Sequence, residues 1–312
     1  WNGVVDSEID GKNSVPYKND QSNSRYGRVL ASRRVSRTIM LGSAPDVGGQ
    51  SARGIEKTHI RLGTVQPGEN IAVFNDVLSA LQTSSSFLYS DGSNNRFWYD
   101  TRPTLRKVME DRAQQLSDSD VTYEIERRLK TLRKAAPFAG LHVCPASTLD
   151  VPDEMVLRLV VLSPGAPHRS AAEGSAALEL ANDILSTRGT ALRRYKNMLA
   201  FVACDGGSVS AMQQATRIYL AWQSISNDRE QLNLDMAQQR ETEQSLRRAE
   251  QTLATRIQEA YSWLLAPRID LPTGSMEIEW EADRIAGGSE DMVHKAAGKL
   301  ISNEAAITQW AP

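Results

Sequence analysis

The side chains best placed to do chemistry in this chain are arginines. Arg25, Arg28, Arg33, Arg34 and Arg37 fall between residues 25 and 37 with no acid among them. Guanidinium forks match phosphate oxygens in shape and charge, so this run could hold a nucleic-acid backbone or the nucleotide of a neighbouring subunit. The competing reading is a solvated helix face that pairs with acids elsewhere. A second basic group, Arg96, Arg102, Arg106 and Lys107, flanks Trp98 and Tyr99. Basic and aromatic residues on a hairpin can grip a minor groove or stack on bases, although Asp91, Asp100, Glu110 and Asp111 dilute the charge. The candidate phosphate or nucleic-acid contacts are Arg25, Arg28, Arg33, Arg34, Arg37, Arg96, Arg102 and Lys107.

Other chemistries find less support. A phosphate-cradling P-loop requires GxxxxGK[ST], because backbone amides and a lysine must surround the phosphates. No stretch fits: Gly298-Lys299 is followed by Leu300 and lacks the upstream glycine. The glycines of residues 42–49 stand without a lysine and read as a connector. Arg53 and His59 have the loose R-x(4–6)-H spacing of certain helical ribonucleases, a pattern permissive enough to arise by chance. His142, His168 and His294 have no Cys or Asp at metal-ligand spacing, and there is no nucleophile elbow, HExxH or CxxC. The sequence therefore assigns no catalytic, cofactor-binding or metal residue.

The elements that must carry these residues form a recognisable order. Residues 25–41 alternate arginines with Val29, Leu30, Val35, Ile39 and Met40, as a basic amphipathic helix would. Residues 53–66 read as a helix with Ile55, His59 or Ile60, and Leu62 on one face. After Pro67-Gly68, Ile71, Phe74, Val77 or Leu78 and Leu81 mark a second amphipathic helix. Then the period changes. Residues 87–89 and 97–99, around a polar Ser-Asp-Gly-Ser-Asn-Asn turn, read as a β-hairpin. Helix, turn, helix and hairpin suggest a winged helix. Its second helix, where base readout would occur, contains Asn70, Asn75, Asp76 and Gln82 in or beside it but no Lys or Arg. That favours protein contact or an ATPase-lid role over major-groove binding.

Residues 1–24 are polar and aperiodic, so an irregular entry is expected. Beyond Pro103 the pattern predicts a charged helix, then a helix capped at Ser117 over residues 121–135. Residues 141–144, 155–162 and 198–204 are apolar and read as buried strands. Helices are expected over 176–192, after Ser208 or Ser210, over 235–265 and over 292–303, with a further strand in MEIEWEA. The long helix carries Leu246, Ala249, Leu253, Ile257, Ala260 and Leu264 on one stripe. The expected fold is α+β: a helical and winged-helix module over residues 1–114, then a mixed α/β domain over 115–312. No internal repeat is apparent.

Composition bounds the rest. The 312 residues, 40% of them apolar, suffice for two domains, and a net charge of −2 gives no general pull toward nucleic acid. Cys144 and Cys204 lie far apart and read as ordinary thiols in a reducing, cytoplasmic setting. No apolar run approaches membrane-spanning length, so no membrane partner is expected. The chain opens at Trp1, without a methionine, inside a polar segment, as a piece of a longer protein would.

Three segments, RVLASRRVSRTIMLGSAP, RGIEKTHIRLGTVQPGE and RFWYDTRPTLRKVMEDRA, resemble the region beyond the nucleotide-binding core of large bacterial AAA+ or STAND-like ATPases. These are encoded in anti-phage islands beside DNA methylases. NMLAFVACD, AMQQATRIYLAWQSISNDREQLNLD and RIQEAYSWLLAP resemble that family and the large ATPase of phage-exclusion (BREX-type) systems. The resemblance spans most of residues 1–267. It implies a regulatory or interaction portion of a defence ATPase, with ATP and Mg held by a nucleotide-binding core of the same protein and other defence proteins as partners. The chain departs from the full family in lacking Walker A and Walker B segments, and no catalytic residue carries over. The alternative is a DNA-binding module that grips the backbone through the wing and the arginine-rich helix.

Overall fold

The computed structural model describes residues 1–43, 53–169, 175–269, 278–285 and 290–305. The chain is α+β and divides into two compact units, Trp1–Asp111 and Arg112–Pro312.

The first unit begins with helices where an irregular entry was expected: α1 Asn2–Glu8, α2 Val15–Ser22 and α3 Ser24–Gly27. The polar composition hid two caps. Ser14 accepts from the Tyr17 N–H, with Pro16 in the first turn of α2, and Asn23 accepts from the Arg25 N–H. The basic helix is likewise broken. Leu30 adopts a positive φ of 53°, and α4 runs only from Ala31–Ser43. The connector expected at residues 42–49 lies outside the described residues from position 44 onward, while Gly42 and Ser43 belong to α4.

A two-residue strand, β1 Ile55–Glu56, then precedes α5 Lys57–Thr64, where a continuous helix from residue 53 was expected. Next come α6 Ile71–Ser84, β2 Leu88–Ser90 and β3 Arg96–Tyr99. The strands pair antiparallel in the order β1-β3-β2. Helix, strand, helix, helix, strand, wing, strand with this pairing is the topology of a winged helix. Its core joins Val35 and Ile39 of α4, Ile60, the α6 face of Phe74, Val77, Leu78 and Leu81, and Phe97 and Tyr99 of β3. Leu62, expected on the inner face of its helix, is 79% exposed, and Ile71 is also exposed. Helix α7, Leu105–Gln115, spans the division between the units.

In the second unit, α8 covers Asp118–Leu129, begun by a reciprocal cap between Ser117 and Asp120 and ending before the expected residue 135. A five-stranded mixed sheet follows. Its strands are β4 Gly140–Val143 and β5 Arg158–Val161, then β8 Leu199–Ala203, β9 Trp263–Ile269 and β10 Ile278–Arg284. The order is β10-β9-β8-β5-β4; β4, β5 and β8 are parallel, and β9 and β10 run antiparallel to their neighbours. Between β5 and β8, α9 (Ala176–Ser186) ends short of the predicted residue 192. Gly189, at φ 61°, turns the chain into a small hairpin, β6 Thr187–Arg188 with β7 Ala191–Leu192.

Helices α10 (Val209–Asn227) and α11 (Met236–Ala260) follow β8 and pack along each other, and α12 (Met292–Ser302) follows β10. Asp235 caps α11 by accepting from the Ala237 and Gln238 N–H groups. Leu264, expected on the α11 stripe, belongs to β9. One sheet face buries Val160, Leu162, Phe201 and Ala203 with Ala177, Ala181, Ile184 and Leu185 of α9. Leu159, Val161, Ala200 and Val202 alternate with them and are equally buried, so the sheet is covered on both faces.

Candidate functional site

The arginines singled out by the sequence mostly end on acids of the same unit. Arg33 Nε donates to Asp20 Oδ2 at 3.1 Å, and Asp20 also accepts from the Ser32 and Arg33 N–H groups at 2.8 and 3.3 Å. This buried carboxylate thus caps the start of α4 from a different helix. Arg34 forms a bidentate pair with Glu69 at 2.8 and 3.1 Å, donates to the Thr64 carbonyl and lies over the Phe74 ring. The Arg34 hydrogen bonds to Glu69, more than any other influence, hold the Glu69 carboxyl below its ordinary pKa. Arg37 pairs with Asp10 and Arg25 with Asp76. Arg96 reaches Glu56 at 2.8 Å and the Gly54 carbonyl at 2.7 Å. Lys107 pairs with Asp111 and Arg106 with Glu110, each one helical turn on. Arg28 and Arg102 are exposed, and neither has an ion pair among the described residues.

Neither α6 nor the wing loop carries a Lys or Arg of its own, and the cation that reaches the outer face of α6, Arg25, is paired there with Asp76. The outer face of α6 presents Ile71, Ala72, Asp76, Ser79 and Thr83. The wing, Asp91 to Asn95 in the chain, carries one charge, and it is negative. The Arg96 N–H and the Ser93 hydroxyl hold the Asp91 carboxyl below its ordinary value, so the wing stays anionic. Arg53 and His59 do not come together on a shared group. Arg53 pairs with Asp100 at 2.9 Å and lies over Trp98, while exposed His59 sits 3.8 Å from Glu56.

A polar cluster that sequence reasoning missed closes the carboxyl end of the parallel strands. Asp205 follows β8 and is turned by Gly206 and Gly207 into Ser208, before α10. Its Oδ1 accepts from Trp263 Nε1 at 3.0 Å and Arg284 Nη2 at 2.9 Å, and its Oδ2 accepts from Ser208 Oγ at 3.1 Å. Arg284 also lies over the Trp263 ring. His168, in the loop after β5, is 4% exposed; its Nδ1 is 3.0 Å from Ser175 Oγ and its ring meets Trp263 edge-on. Burial, then the Arg284 charge, lowers the His168 pKa, so the ring is neutral at pH 7. Burial works to raise the Asp205 pKa, but Trp263, Ser208 and Arg284 outweigh it and keep the carboxylate ionised.

No hydrogen bond joins the His168 ring to Asp205 among the described residues. The cluster locks the strand ends to β9 and β10. The Asp-Gly-Gly-Ser turn between strand and helix is the signal that marks its position in the sequence.

Among the described residues no group of three or more His, Cys, Asp or Glu side chains is arranged to hold a metal, and both cysteines are free thiols. Burial pushes both thiols up to about 12, which makes them poor nucleophiles. No described helix is long and apolar enough to cross a membrane. No protein-family model, curated protein or solved structure matches the chain.

Proposed function

We propose that this chain is a non-catalytic regulatory and interaction portion of a AAA+/STAND-like ATPase acting in phage defence, whose winged helix docks on protein rather than on DNA. The observation that carries the docking half of this reading is the disposition of charge in the first unit. Arg33, Arg34, Arg37, Arg25 and Arg96 are held by Asp20, Glu69, Asp10, Asp76 and Glu56, which leaves Arg28 and Arg102 as the unpaired candidates. Neither α6 nor the wing loop carries a Lys or Arg of its own in their place. Releasing an arginine to a phosphate would leave its carboxylate unpaired, and for Asp20 that carboxylate is buried.

The ATPase half rests on the extended strings that resemble the defence ATPases. In this reading the winged helix and the arginine-rich segment face the nucleotide-binding core of the same protein or another defence component. ATP turnover by this chain and by a longer form carrying the core tests it. The reading expects no turnover from the chain and Mg-dependent turnover from the longer form, and turnover by the chain alone overturns it.

A further inference from the structure

The sheet of the second unit ends at β4, an edge strand bordered by a groove of about 510 Å³. Leu132, Leu141 and Val143 line it together with Lys130 and Lys134 from the segment that ends α8. In a parallel ladder alternate residues of a strand bond to the same neighbour. The Cys144 N–H donates to the Val161 carbonyl at 2.8 Å. Counting back, His142 faces β5 and the main-chain groups of Leu141 and Val143 face the open side. The other face of the strand is occupied: His142 Nε2 lies 3.2 Å from Arg158 Nη1. The groove face thus offers outward donors and acceptors, apolar side chains at every second position, and a cationic rim.

We propose that this edge receives an extended acidic segment of a partner protein, added as a further strand beside β4. Main-chain bonds supply affinity in such an arrangement, and pockets for alternate side chains supply selectivity. The charge pattern argues for the occupant. Lys130, Arg133 and Lys134 are all exposed, and none has an ion pair among the described residues. Glu126, on the same helix, instead accepts from Ser163 Oγ at 2.9 Å. A second copy of this chain, paired edge to edge, would bring these cations against their own equivalents, which like-charge repulsion disfavours. An acidic strand gains where a basic one loses, so the rim selects the partner.

The test titrates the intact chain into a fluorescein-labelled peptide of alternating glutamate and valine. Its controls are the same peptide with proline at alternate positions, which cannot pair as a strand, and the same peptide with lysine for glutamate. The proposal expects saturable binding of the first peptide alone, with slowed hydrogen exchange at the Leu141 and Val143 amides. Joint Lys130→Glu and Lys134→Glu substitution changes only exposed side chains and should weaken binding by about tenfold or more. Equal binding of the proline-interrupted peptide would mean that the rim holds any polyanion, nucleic acid included, and would overturn the proposal. Absence of binding at low salt, or binding without protection of the β4 amides, would also overturn it.

Discussion

The two basic regions of this protein differ in what their charges already touch. In the first unit, arginines of α4 and the wing strand are drawn into ion pairs that hold the winged helix together. At the β4 edge, Lys130 and Arg133 reach no acid among the described residues, and Lys134 only approaches the Ala139 carbonyl. Counting cations along the chain cannot separate the two. What separates them is whether the fold brings a carboxylate within reach. Long-range pairs such as Arg33 with Asp20 and Arg34 with Glu69 turn an apparent phosphate site into a structural one.

The sharpest way to break this comparison is to remove an acid that holds an arginine. Asp20→Ala orphans the Ser32 and Arg33 N–H groups and the Arg33 guanidinium together. Denaturant unfolding followed through Trp98 should show a loss of about 2–4 kcal/mol in the first unit. The corresponding lock of the second unit is Arg128, which bridges Glu124 and Glu250 and lies over Tyr219. Because Glu250 is half exposed, Arg128→Ala should cost less, about 2–3 kcal/mol, read through Trp222.

The units should also respond to pH in opposite senses. Burial raises the Glu8 pKa above its ordinary 4.5, against the Ser86 N–H and Ser85. The folded state therefore binds this proton more tightly, and the Glu8 contribution is lost as pH rises from 4.5 through the folded value. In the second unit, burial and nearby arginines lower His142 and His168 below 6.5. There the unfolded state binds the protons more tightly, so that contribution is present above pH 6.5 and is lost as pH falls; Glu241, raised by burial, and His294, raised by its hydrogen bond to Asp291, work against it. Hydrogen exchange of each unit between about pH 5 and 6.5 checks the slopes, and Glu8→Gln should flatten that of the first unit. The smallest effects belong to the unpaired arginines. Arg28→Ala and Arg102→Ala should each change thermal stability by no more than about 0.5 kcal/mol.

Much of the architecture is legible in local patterns. The three- and four-residue spacing of α6, the Ser117 cap and the apolar runs of β5 and β8 all report elements whose causes lie within a few residues. The misses share a different cause. Leu264 continues the α11 stripe in spacing, and only its pairing with Val202 of β8 and Asp283 of β10 assigns it to a strand. The helix expected through residue 192 stops at Ser186 because Thr187 turns extended and pairs with Leu192 across the turn at Gly189, a pairing no helical spacing reveals. The Asp205 and His168 cluster joins residues from two loops and two strands, so no single window contains it. Among the candidate contacts the acids that take up the arginines lie as far along the chain as Asp76 from Arg25, beyond any local window, and Arg28 and Arg102 have no ion pair among the described residues.

Fluorescence anisotropy with duplex DNA across a salt series tests most directly whether the winged helix, with Arg28 and Arg102 as its unpaired arginines, grips a phosphate backbone. No saturable binding is expected at low salt, from the native chain or from Arg33→Ala or Arg37→Ala. Affinity that falls steeply with the logarithm of salt concentration and weakens in both variants would contradict it.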